Sequence, residues 1–471
     1  MSRKSNSRRG LLIAVAVLAV ILVLLIGVAV SLPEPTQPSA PTEPSTGPTV
    51  TTGPTTVPTQ PTEPSTQPPT TAPPTQPPVT VQSVATILNT GDMLMHMPVV
   101  NAADRDGDTY DFSKMFVHLK RYVEGADYAT ANLETTLAGK GNGYKYSGYP
   151  QFNCPDGIAQ TLKDLGFDML LTANNHTFDT YETGFFRTQQ VLENMGLDHL
   201  GTVSSLETPL WQVQEIDGVQ VGMVCYTYES RSEHHPEKPG LNGIPLSDKA
   251  AALIGRFQYE DLPGFYDEMA ENIAAMEAAG AEAIVLYIHW GVEYQTKENS
   301  TQNQIAQKMC DLGVDVIVGG HPHVVQPMEL LTSTEDPAQK TVCLYSMGNC
   351  ISNQNRVEMN LKTGHTEDGV LFSFSFTKYS DGTVILSSAD ILPLWVNRSG
   401  SSGNYQYDVL PLDMESQDWK AQFSLSDSKL QKARDSYNRT MAIVGDGLAE
   451  IQAYLAQNVA DTEALLGIAA Q

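Results

Sequence analysis

From Val84 onward, short apolar runs alternate with stretches whose apolar residues recur every three or four positions. Short apolar runs are typical of covered strands, whereas the three- to four-residue spacing is typical of helices. The predicted strands include VATILNTGD from Val84, YATANLE from Tyr128, DMLLTANNH from Asp168, AEAIVLYIHWG from Ala281 and DVIVGGH from Asp315. The predicted helices are DFSKMFVHLKRYVEGA from Asp111, PDGIAQTLKDLGF from Pro155, YETGFFRTQQVLENMG from Tyr181, GFYDEMAENIAAMEAAGA from Gly264 and TQNQIAQKMCDLGV from Thr301.

The order of these elements predicts an α/β fold. Strands that alternate with helices indicate a largely covered sheet with helices outside it. A hairpin is predicted between Trp211 and Tyr228, with Asp217-Gly218 as its turn. Residues 341–349 and 370–396 are mostly strand-like, and the segment after about Pro411 predicts one or two weakly amphipathic helices. We therefore place the body at residues 81–412 and a C-terminal helical tail at residues 413–471.

The N-terminus carries a charge-free apolar stretch at residues 11–32. As a helix this stretch would span roughly 33 Å, which is sufficient for a bilayer core of about 30 Å. A cleaved signal peptide is the alternative, but the stretch is longer than the usual apolar region of about 7–15 residues and no clear cleavage site follows it. The basic residues within positions 1–10 favour a cytoplasmic N-terminus. The sequence thus predicts a single-pass membrane anchor with the remainder of the chain outside a bacterial cell.

Residues 33–80 are of low complexity, with 16 prolines, 15 threonines and no aromatic residue. Such a composition cannot form a core and favours an extended, disordered polyproline II conformation. Fully extended, it would reach on the order of 150 Å. This length suits a stalk that lifts the body away from the membrane and into a thick cell wall.

The body is strongly acidic. The chain carries 28 basic and 54 acidic residues, and the first 80 positions hold four of the former and three of the latter. The remainder should be repelled by nucleic acid and by anionic lipid, so nucleic acid is excluded as a partner. The five cysteines show no metal-ribbon spacing, and Cys225 and Cys343 lie in apolar runs typical of small core residues.

Polar residues with ligating atoms follow five of the predicted strands. They are Asp92, Glu134, Asn175 with its neighbour His176, His289, and the pair His321 and His323. In α/β sheets, ligands bind where the loops after the carboxyl ends of strands converge. A single such residue is more often an ordinary loop or turn residue. The same feature recurs after five strands, and this weakens that explanation for the set as a whole. Imidazole and carboxylate together suit Zn, Fe, Mn or a similar divalent ion.

Six separated motifs carry a resemblance to a known family. In chain order they are GDMLMH, NLE, TANNHTFD, YIHWGVEY, GGHPHVVQP and LYSMGN. The set resembles the CapA family, known from poly-γ-glutamate capsule synthesis, over roughly Val84 to Pro411. That family is similar in fold to the calcineurin-like metallophosphoesterases. The resemblance therefore implies a metallophosphoesterase-like β-sandwich flanked by helices, preceded here by a transmembrane helix and a Pro/Thr-rich stalk.

The resemblance also implies roles for individual residues. Asp92 would bind a first divalent ion and Glu134 would bridge two ions. Asn175 and His289 would bind the second ion, His321 would join them, and His323 would face the first. His176 would act as the acid near the leaving oxygen, with Asn175 beside it in the catalytic site.

Two positions depart from the phosphoesterase pattern. Leu94 stands where these enzymes usually carry a histidine, and His96, two residues further on, is not expected to reach the site. The bridging carboxylate is Glu134, one methylene longer than the usual aspartate. The first ion site is therefore expected to bind its ion weakly. The sequence leaves open whether the protein binds one ion or two.

Three functions follow from these observations. The first is a surface component that makes, exports or anchors an anionic envelope polymer of the poly-γ-glutamate type, together with a membrane-embedded synthase or export complex. The second is an extracellular metal-dependent phosphoesterase acting on envelope or nutrient phosphate esters. The third is a non-catalytic scaffold. The acidic body argues against direct contact with a polyanion unless metal ions or a local basic patch mediate it.

Overall fold

The computed structural model describes residues 78–141, 143–414 and 418–468. Within these ranges, no helix combines the length and the apolarity that crossing a bilayer requires. The predicted basic segment 1–10, the predicted membrane span 11–32 and the linker up to residue 77 lie outside the described residues.

The described chain contains seventeen strands and ten α-helices. The strands are β1 (Val81–Met93), β2 (Tyr128–Asn132), β3 (Met169–Leu171), β4 (Asp198–Leu200), β5 (Trp211–Ile216), β6 (Val219–Tyr228), β7 (Gly240–Leu241), β8 (Ile244–Pro245), β9 (Arg256–Phe257), β10 (Ala283–His289), β11 (Val316–Gly320), β12 (Met328–Thr332), β13 (Lys340–Leu344), β14 (Asn349–Ile351), β15 (Asp368–Tyr379), β16 (Val384–Ser401) and β17 (Asn404–Pro411). The helices are α1 (Met97–Ala103), α2 (Ser113–Phe116), α3 (Lys120–Val123), α4 (Gly157–Leu165), α5 (Tyr181–Met195), α6 (Asp248–Ala251), α7 (Leu262–Ala278), α8 (Ser300–Asp311), α9 (Trp419–Gln422) and α10 (Asp427–Leu466).

These strands form two large mixed sheets and one small hairpin. The first sheet has the order β17-β16-β15-β1-β2-β3-β4, with β14 paired to β1. The second has the order β12-β13-β11-β10-β6-β5, with β9 paired to β6. In the first sheet β1, β2, β3 and β4 run parallel, and in the second β6, β10, β11 and β13 do so. The predicted α/β class is therefore confirmed.

Three apolar clusters hold the layers together. The first lies between the two sheets and contains residues of β1, β3 and β15 from one sheet and of β6, β10, β11 and β13 from the other. The second joins the outer face of the first sheet to α1, α2, α3 and α4. The third joins the outer face of the second sheet to α7 and α8. Two face-to-face sheets are thus flanked by helices on both sides.

The apolar run of β10 shows why these strands were recognisable. Val285 and Tyr287 point into the cluster between the sheets, whereas Ile284 and Leu286 belong to the cluster under the helices. Successive side chains of a strand face opposite sides, so a strand covered on both sides is apolar at every position. The hairpin of β5 and β6 is also confirmed, with its turn at Asp217 and Gly218, both at positive φ.

Some elements differ from the prediction. The helix predicted from Asp111 is two short helices, α2 and α3, because the chain turns between Phe116 and Lys120. The small hairpin β7–β8 and helix α1 were not predicted. Helix α1 begins directly after His96 with Pro98 in its first turn, a position where the missing N–H costs nothing.

The last helix, α10, is 40 residues long and packs along the body. Four of its residues, Val444, Leu448, Ile451 and Leu455, belong to the cluster between the sheets. Gly447 allows a close approach to β12, since a Cβ there would collide with the carbonyl oxygen of Met328.

Candidate metal centre

Polar side chains follow the carboxyl ends of five strands from both sheets. In the first sheet β1 carries Asp92 near its end, β2 is followed by Glu134, and β3 by Asn175. In the second sheet β10 ends at His289 and β11 is followed directly by His321. Because the strands within each set run parallel, these side chains emerge at the same edge of each sheet.

The first ligand group consists of Asp92, Glu134 and His323, whose ligand atoms all lie within 4.8 Å of one another. Asp92 Oδ2 lies 3.0 Å from His323 Nδ1, and Glu134 Oε1 lies 3.7 Å from His323 Nε2. Asn132, the last residue of β2, donates from Nδ2 to Asp92 Oδ1 over 2.7 Å. All of these side chains are buried.

The second ligand group consists of Glu134, His289 and His321, within the same mutual distance of 4.8 Å. Glu134 Oε1 lies 3.6 Å from His289 Nε2, and the rings of His289 and His321 are 4.8 Å apart between centroids. Asn175 Oδ1 lies 2.9 Å from the same His289 Nε2. The structure therefore brings the predicted ligands, Asp92, Glu134, Asn175, His289, His321 and His323, into one buried cluster.

Glu134 belongs to both groups. Its Oε1 atom is buried without a hydrogen-bond partner, and so is Nδ1 of His321. Buried polar atoms almost always have a partner, since an unpaired one costs about 1–3 kcal/mol. Two neighbouring divalent ions that share one carboxylate would satisfy these atoms, so the donor set fits such ions.

The backbone around the double histidine is specialised for close approach. A Cβ at Gly320 would lie 3.1 Å from Asp92 Oδ1 and 3.5 Å from His289 Nδ1. His321 and His323 both adopt positive φ, 97° and 55°. Non-glycine residues rarely adopt such angles, and strained residues of this kind cluster at functional sites. The GGHPH motif is therefore a strained turn that directs two imidazoles at one cluster.

Burial keeps the imidazoles of His289 and His321 neutral. It lowers the pKa of His289 to about 3 and that of His321 well below its ordinary value. Burial and the nearby Asp92 carboxylate raise the pKa of Glu134 well above its usual range. For Asp92, burial acts to raise the pKa, but the hydrogen bond and the charge of His323 outweigh it and the pKa is lowered. Neutral imidazole is the form that binds metal ions.

His176 is held by an aspartate. Its Nδ1 lies 2.7 Å from Asp179 Oδ2, and its ring meets the edge of Phe152 at 4.6 Å between centroids. Helix capping would be a plainer role for Asp179, but the N-cap of α5 is Thr180. Asp179 instead orients the imidazole, and Nε2 is the nitrogen left to exchange a proton.

His96 does not join either ligand group, as expected. Its Nδ1 lies 3.2 Å from the carbonyl oxygen of Leu94, and its ring packs against Phe152. Leu94 is buried and offers no ligating atom. Glu293 is exposed and belongs to neither ligand group, and its charge adds to burial in raising the pKa of Glu134 and of Tyr294.

Three asparagines of the site were missed from the sequence. Asn132 links the two carboxylates, donating to Asp92 and lying 3.4 Å from Glu134 Oε2. Asn349 donates from Nδ2 to the carbonyl oxygen of His323 over 3.2 Å. Both lie inside the motifs NLE and LYSMGN, so they could have been recognised from the sequence as residues of the site. Asn242 contacts Asp179 from the hairpin β7–β8, and its signal is the Asn-Gly pair of a tight turn.

The family model described as Bacterial capsule synthesis protein PGA_cap matches residues 86–354, which is more than half of the chain. The chain belongs to this family. The resemblance inferred from the six motifs is thereby confirmed, and all of the motifs lie within the matched range. Helix α10 lies outside it.

Two relatives of this PGA_cap family member carry the name CapA. The Bacillus anthracis capsule biosynthesis protein CapA is 26% identical over 314 residues, covering 66% of this chain and 67% of that protein. The Bacillus subtilis PGA biosynthesis protein CapA is 25% identical over 303 residues, covering 64% and 70%. Among solved structures, a Staphylococcus aureus protein described as a candidate 5′-nucleotidase, in complex with alpha-ketoglutarate, has a TM-score of 0.37 and 14% identity. That likeness covers 73% of this chain and 58% of the solved one.

Acidification should reveal the neutral state of His289 in this PGA_cap family member. The folded-state pKa of about 3 lies below the unfolded value of 6.5. The unfolded state therefore binds more protons between these values, and stability falls as the pH drops below 6.5. After EDTA treatment, the native chain should lose about 2 kcal/mol relative to the His289→Asn variant between pH 7 and pH 5. Urea unfolding of both proteins at each pH measures this difference, and parallel pH profiles would contradict it.

Proposed function

We propose that this PGA_cap family member acts in the synthesis, export or anchoring of an anionic capsule polymer of the poly-γ-glutamate type, through a two-ion hydrolytic centre of the metallophosphoesterase kind. The observation that carries the hydrolytic part is the position of Glu134. One buried oxygen of this carboxylate lies within 4 Å of His289 and of His323, which belong to different ligand groups.

The polymer part is supported by the family and by the names of the two CapA relatives. The apolar stretch at residues 11–32 and the proline-rich stretch at residues 33–80 support a membrane-anchored protein whose body stands outside the cell. Such an arrangement would place the site beside a membrane-embedded synthase or export complex. Because the body carries an excess of acidic residues, it would repel an anionic polymer. Bound cations would therefore mediate the contact between the two.

The residues divide the chemistry between them. Asp92, Glu134 and His323 would hold one divalent ion, and Glu134, His289 and His321, with Asn175 beside them, would hold the other. Such ions would supply charge for the phosphoryl oxygens and would lower the pKa of water. His176 would give a proton from Nε2 to the leaving oxygen, because Asp179 fixes its Nδ1.

A non-catalytic scaffold is the second candidate. The absence of a ligating side chain at Leu94 leaves the first group with three ligands, and this favours weak binding there. A scaffold would retain the fold and at most one ion.

Metal content and turnover of the purified protein decide between these candidates. We expect two equivalents of divalent transition metal by inductively coupled plasma mass spectrometry, and hydrolysis of p-nitrophenyl phosphate mono- or diesters. His289→Ala should remove one equivalent and abolish turnover, at least a 100-fold loss by analogy with lost catalytic groups. In cells lacking the native protein, the same variant should fail to restore capsule polymer.

Each candidate function predicts a different combination of metal content, turnover and capsule rescue. One equivalent or none, without turnover, together with full capsule rescue by His289→Ala, supports the scaffold. Turnover without any effect on capsule polymer supports an extracellular phosphoesterase that acts on other esters.

A further inference from the structure

A small hairpin lies against the proposed acid residue. Its strands β7 and β8 are joined by Asn242 and Gly243, both at positive φ, 49° and 69°. This is the pattern of a two-residue turn that favours Asn-Gly. The flanking residues Leu241 and Ile244 are buried in one apolar cluster with Phe178, which immediately precedes Asp179. The hairpin is therefore anchored to the same segment that carries the aspartate.

The side chain at the turn completes the hydrogen bonding of Asp179. Asn242 Nδ2 donates to Asp179 Oδ1 over 2.9 Å and to the carbonyl oxygen of Pro150 over 2.7 Å. The other oxygen, Oδ2, accepts from the backbone N–H of Phe152 over 2.6 Å and lies 2.7 Å from His176 Nδ1. Both oxygens of the carboxylate are thus occupied, and its plane is fixed toward the imidazole.

Asparagine suits this position for three reasons. It tolerates positive φ better than most residues, it offers two N–H donors from one nitrogen, and it is uncharged. Both donors are used, one on Asp179 and one on Pro150. An aspartate would place a like charge beside Asp179, and a glycine would fit the turn without donating. The Nδ2 atom of Asn242 also lies 3.4 Å from His176 Nδ1, so this amide contacts both members of the His176–Asp179 pair.

We infer that Asn242 is a positioning residue for the proton donor His176, acting through Asp179. This inference deepens the proposed function and rests on it for its catalytic consequence. A fixed carboxylate accepts from Nδ1–H and holds the ring so that an Nε2–H would face the leaving oxygen and give its proton there, which leaves the neutral ring protonated on Nδ1. Loss of Asn242 leaves Oδ1 of Asp179 without its donor, so the plane of the carboxylate is held by Oδ2 alone. Protonation of the leaving oxygen then weakens while the metal ligands remain in place.

Leaving-group dependence tests this role. In Asn242→Gly, which keeps the turn and removes the amide, kcat for phenyl phosphate esters should fall about 10- to 100-fold. With p-nitrophenyl esters, whose leaving group needs little protonation, the loss should stay below about 3-fold. His176→Gln should show the same selectivity with a larger loss. The control is Asn360→Gly, an exposed asparagine at φ 50° that undergoes the same substitution. Equal losses on both esters, or none, would overturn the inference.

A measurement without turnover separates this inference from the proposed function. In protein labelled with ¹⁵N-histidine, the Nδ1 proton of His176, assigned with His176→Gln, should give a sharp downfield resonance. In Asn242→Gly it should broaden through exchange with water, whereas Asn360→Gly should leave it unchanged. An unchanged resonance in Asn242→Gly overturns the positioning role even if hydrolysis is observed. A broadened resonance supports it even if no ester is hydrolysed.

Discussion

Replacing Glu134 with glutamine should abolish paired metal binding and at the same time stabilise the metal-free protein. Bound metal should fall from two equivalents to at most one, because the shared oxygen Oε1 serves both ligand groups. Turnover should fall below detection with the second ion. After EDTA treatment, however, the variant should be more stable than the native chain at pH 7 by about 1–3 kcal/mol.

The gain in stability follows from the environment of the carboxyl group. Glu134 is fully buried, and both burial and the Asp92 charge raise its pKa well above the ordinary 4.5. A raised folded-state pKa makes the native chain less stable as the pH rises above the unfolded value. An amide carries no such penalty and can donate toward the imidazoles of His289 and His323. The difference between variant and native chain should therefore grow from pH 4.5 to pH 7.

Metal analysis and urea unfolding with and without EDTA measure both effects. Glu293→Gln is the matched control, since this exposed carboxylate also raises the pKa of Glu134 but belongs to neither ligand group. It should retain two ions. A Glu134→Gln protein that keeps two equivalents would show that the two groups do not share a ligand.

The ligand cluster was predictable because each ligand follows an apolar strand. Tyr287 and Val318 lie inside the run that precedes a histidine, and such runs identify strands through continuous burial on both faces. Parallel strands then bring their carboxyl ends to one edge, so distant residues such as Asp92 and His289 could be placed together. The longer Glu134 side chain raised doubt, yet its oxygen lies within 4 Å of two imidazole nitrogens.

The supporting asparagines were not predictable to the same degree. Asn242 and Asn349 act through amide donors whose partners are 63 and 26 residues away in the chain. Amide side chains show no periodic signal, since they are as common in turns as in sites. Only the tertiary arrangement, in which the hairpin β7–β8 meets the segment after β3, reveals what Asn242 contacts.

The packing of α10 was also hidden in the sequence. Its first three fully buried positions carry small or polar side chains, and large apolar side chains occupy the fully buried positions only from Val444 onward. The buried positions are Ala433, Ser436, Thr440, Val444, Leu448, Ile451 and Leu455. They recur every three or four residues, but the small and polar members weaken the apolar stripe that marks an amphipathic helix. The helical pattern was therefore visible, whereas the extent of its burial was not.

Replacing Arg439 of α10 with methionine should destabilise the whole protein by about 3–5 kcal/mol, because it leaves a buried carboxylate without its ion pair. Arg439 donates from Nε and Nη2 to the two oxygens of Asp368, each over 2.7 Å. Ser436 donates to the same carboxylate over 2.6 Å. Asp368 is only 2% exposed, and burial raises its pKa to about 7 although these donors act in the opposite direction.

Urea unfolding of Arg439→Met measures the loss. Arg434→Met, an exposed arginine on the same helix, is the control and should change stability by less than about 0.5 kcal/mol. The double variant Asp368→Asn with Arg439→Met should recover part of the loss, because removing both charges lowers the free energy of unfolding less than leaving one buried charge without its partner. Equal stability of the two arginine variants would contradict the role assigned to the pair.

The Arg439→Met substitution should also weaken metal binding. Asp368 precedes Gly369, whose backbone packs against Asn349, and Asn349 supports His323. A Cβ at Gly369, the next residue, would collide with the carbonyl oxygen of Asn349, and Asn349 holds the carbonyl of His323 in its strained turn. Displacing α10 would loosen this contact before it disturbed His289, because β13 and β11 separate its strand β10 from β12, the strand of the second sheet that Gly447 of α10 approaches. Titration of EDTA-treated Arg439→Met with Mn²⁺, below the urea concentration that unfolds it, should therefore show the first ion site weakened about 10-fold or more and the second nearly unchanged. Equal weakening of both sites would instead indicate general loosening of the fold, and the helix would then have no particular connection to the site.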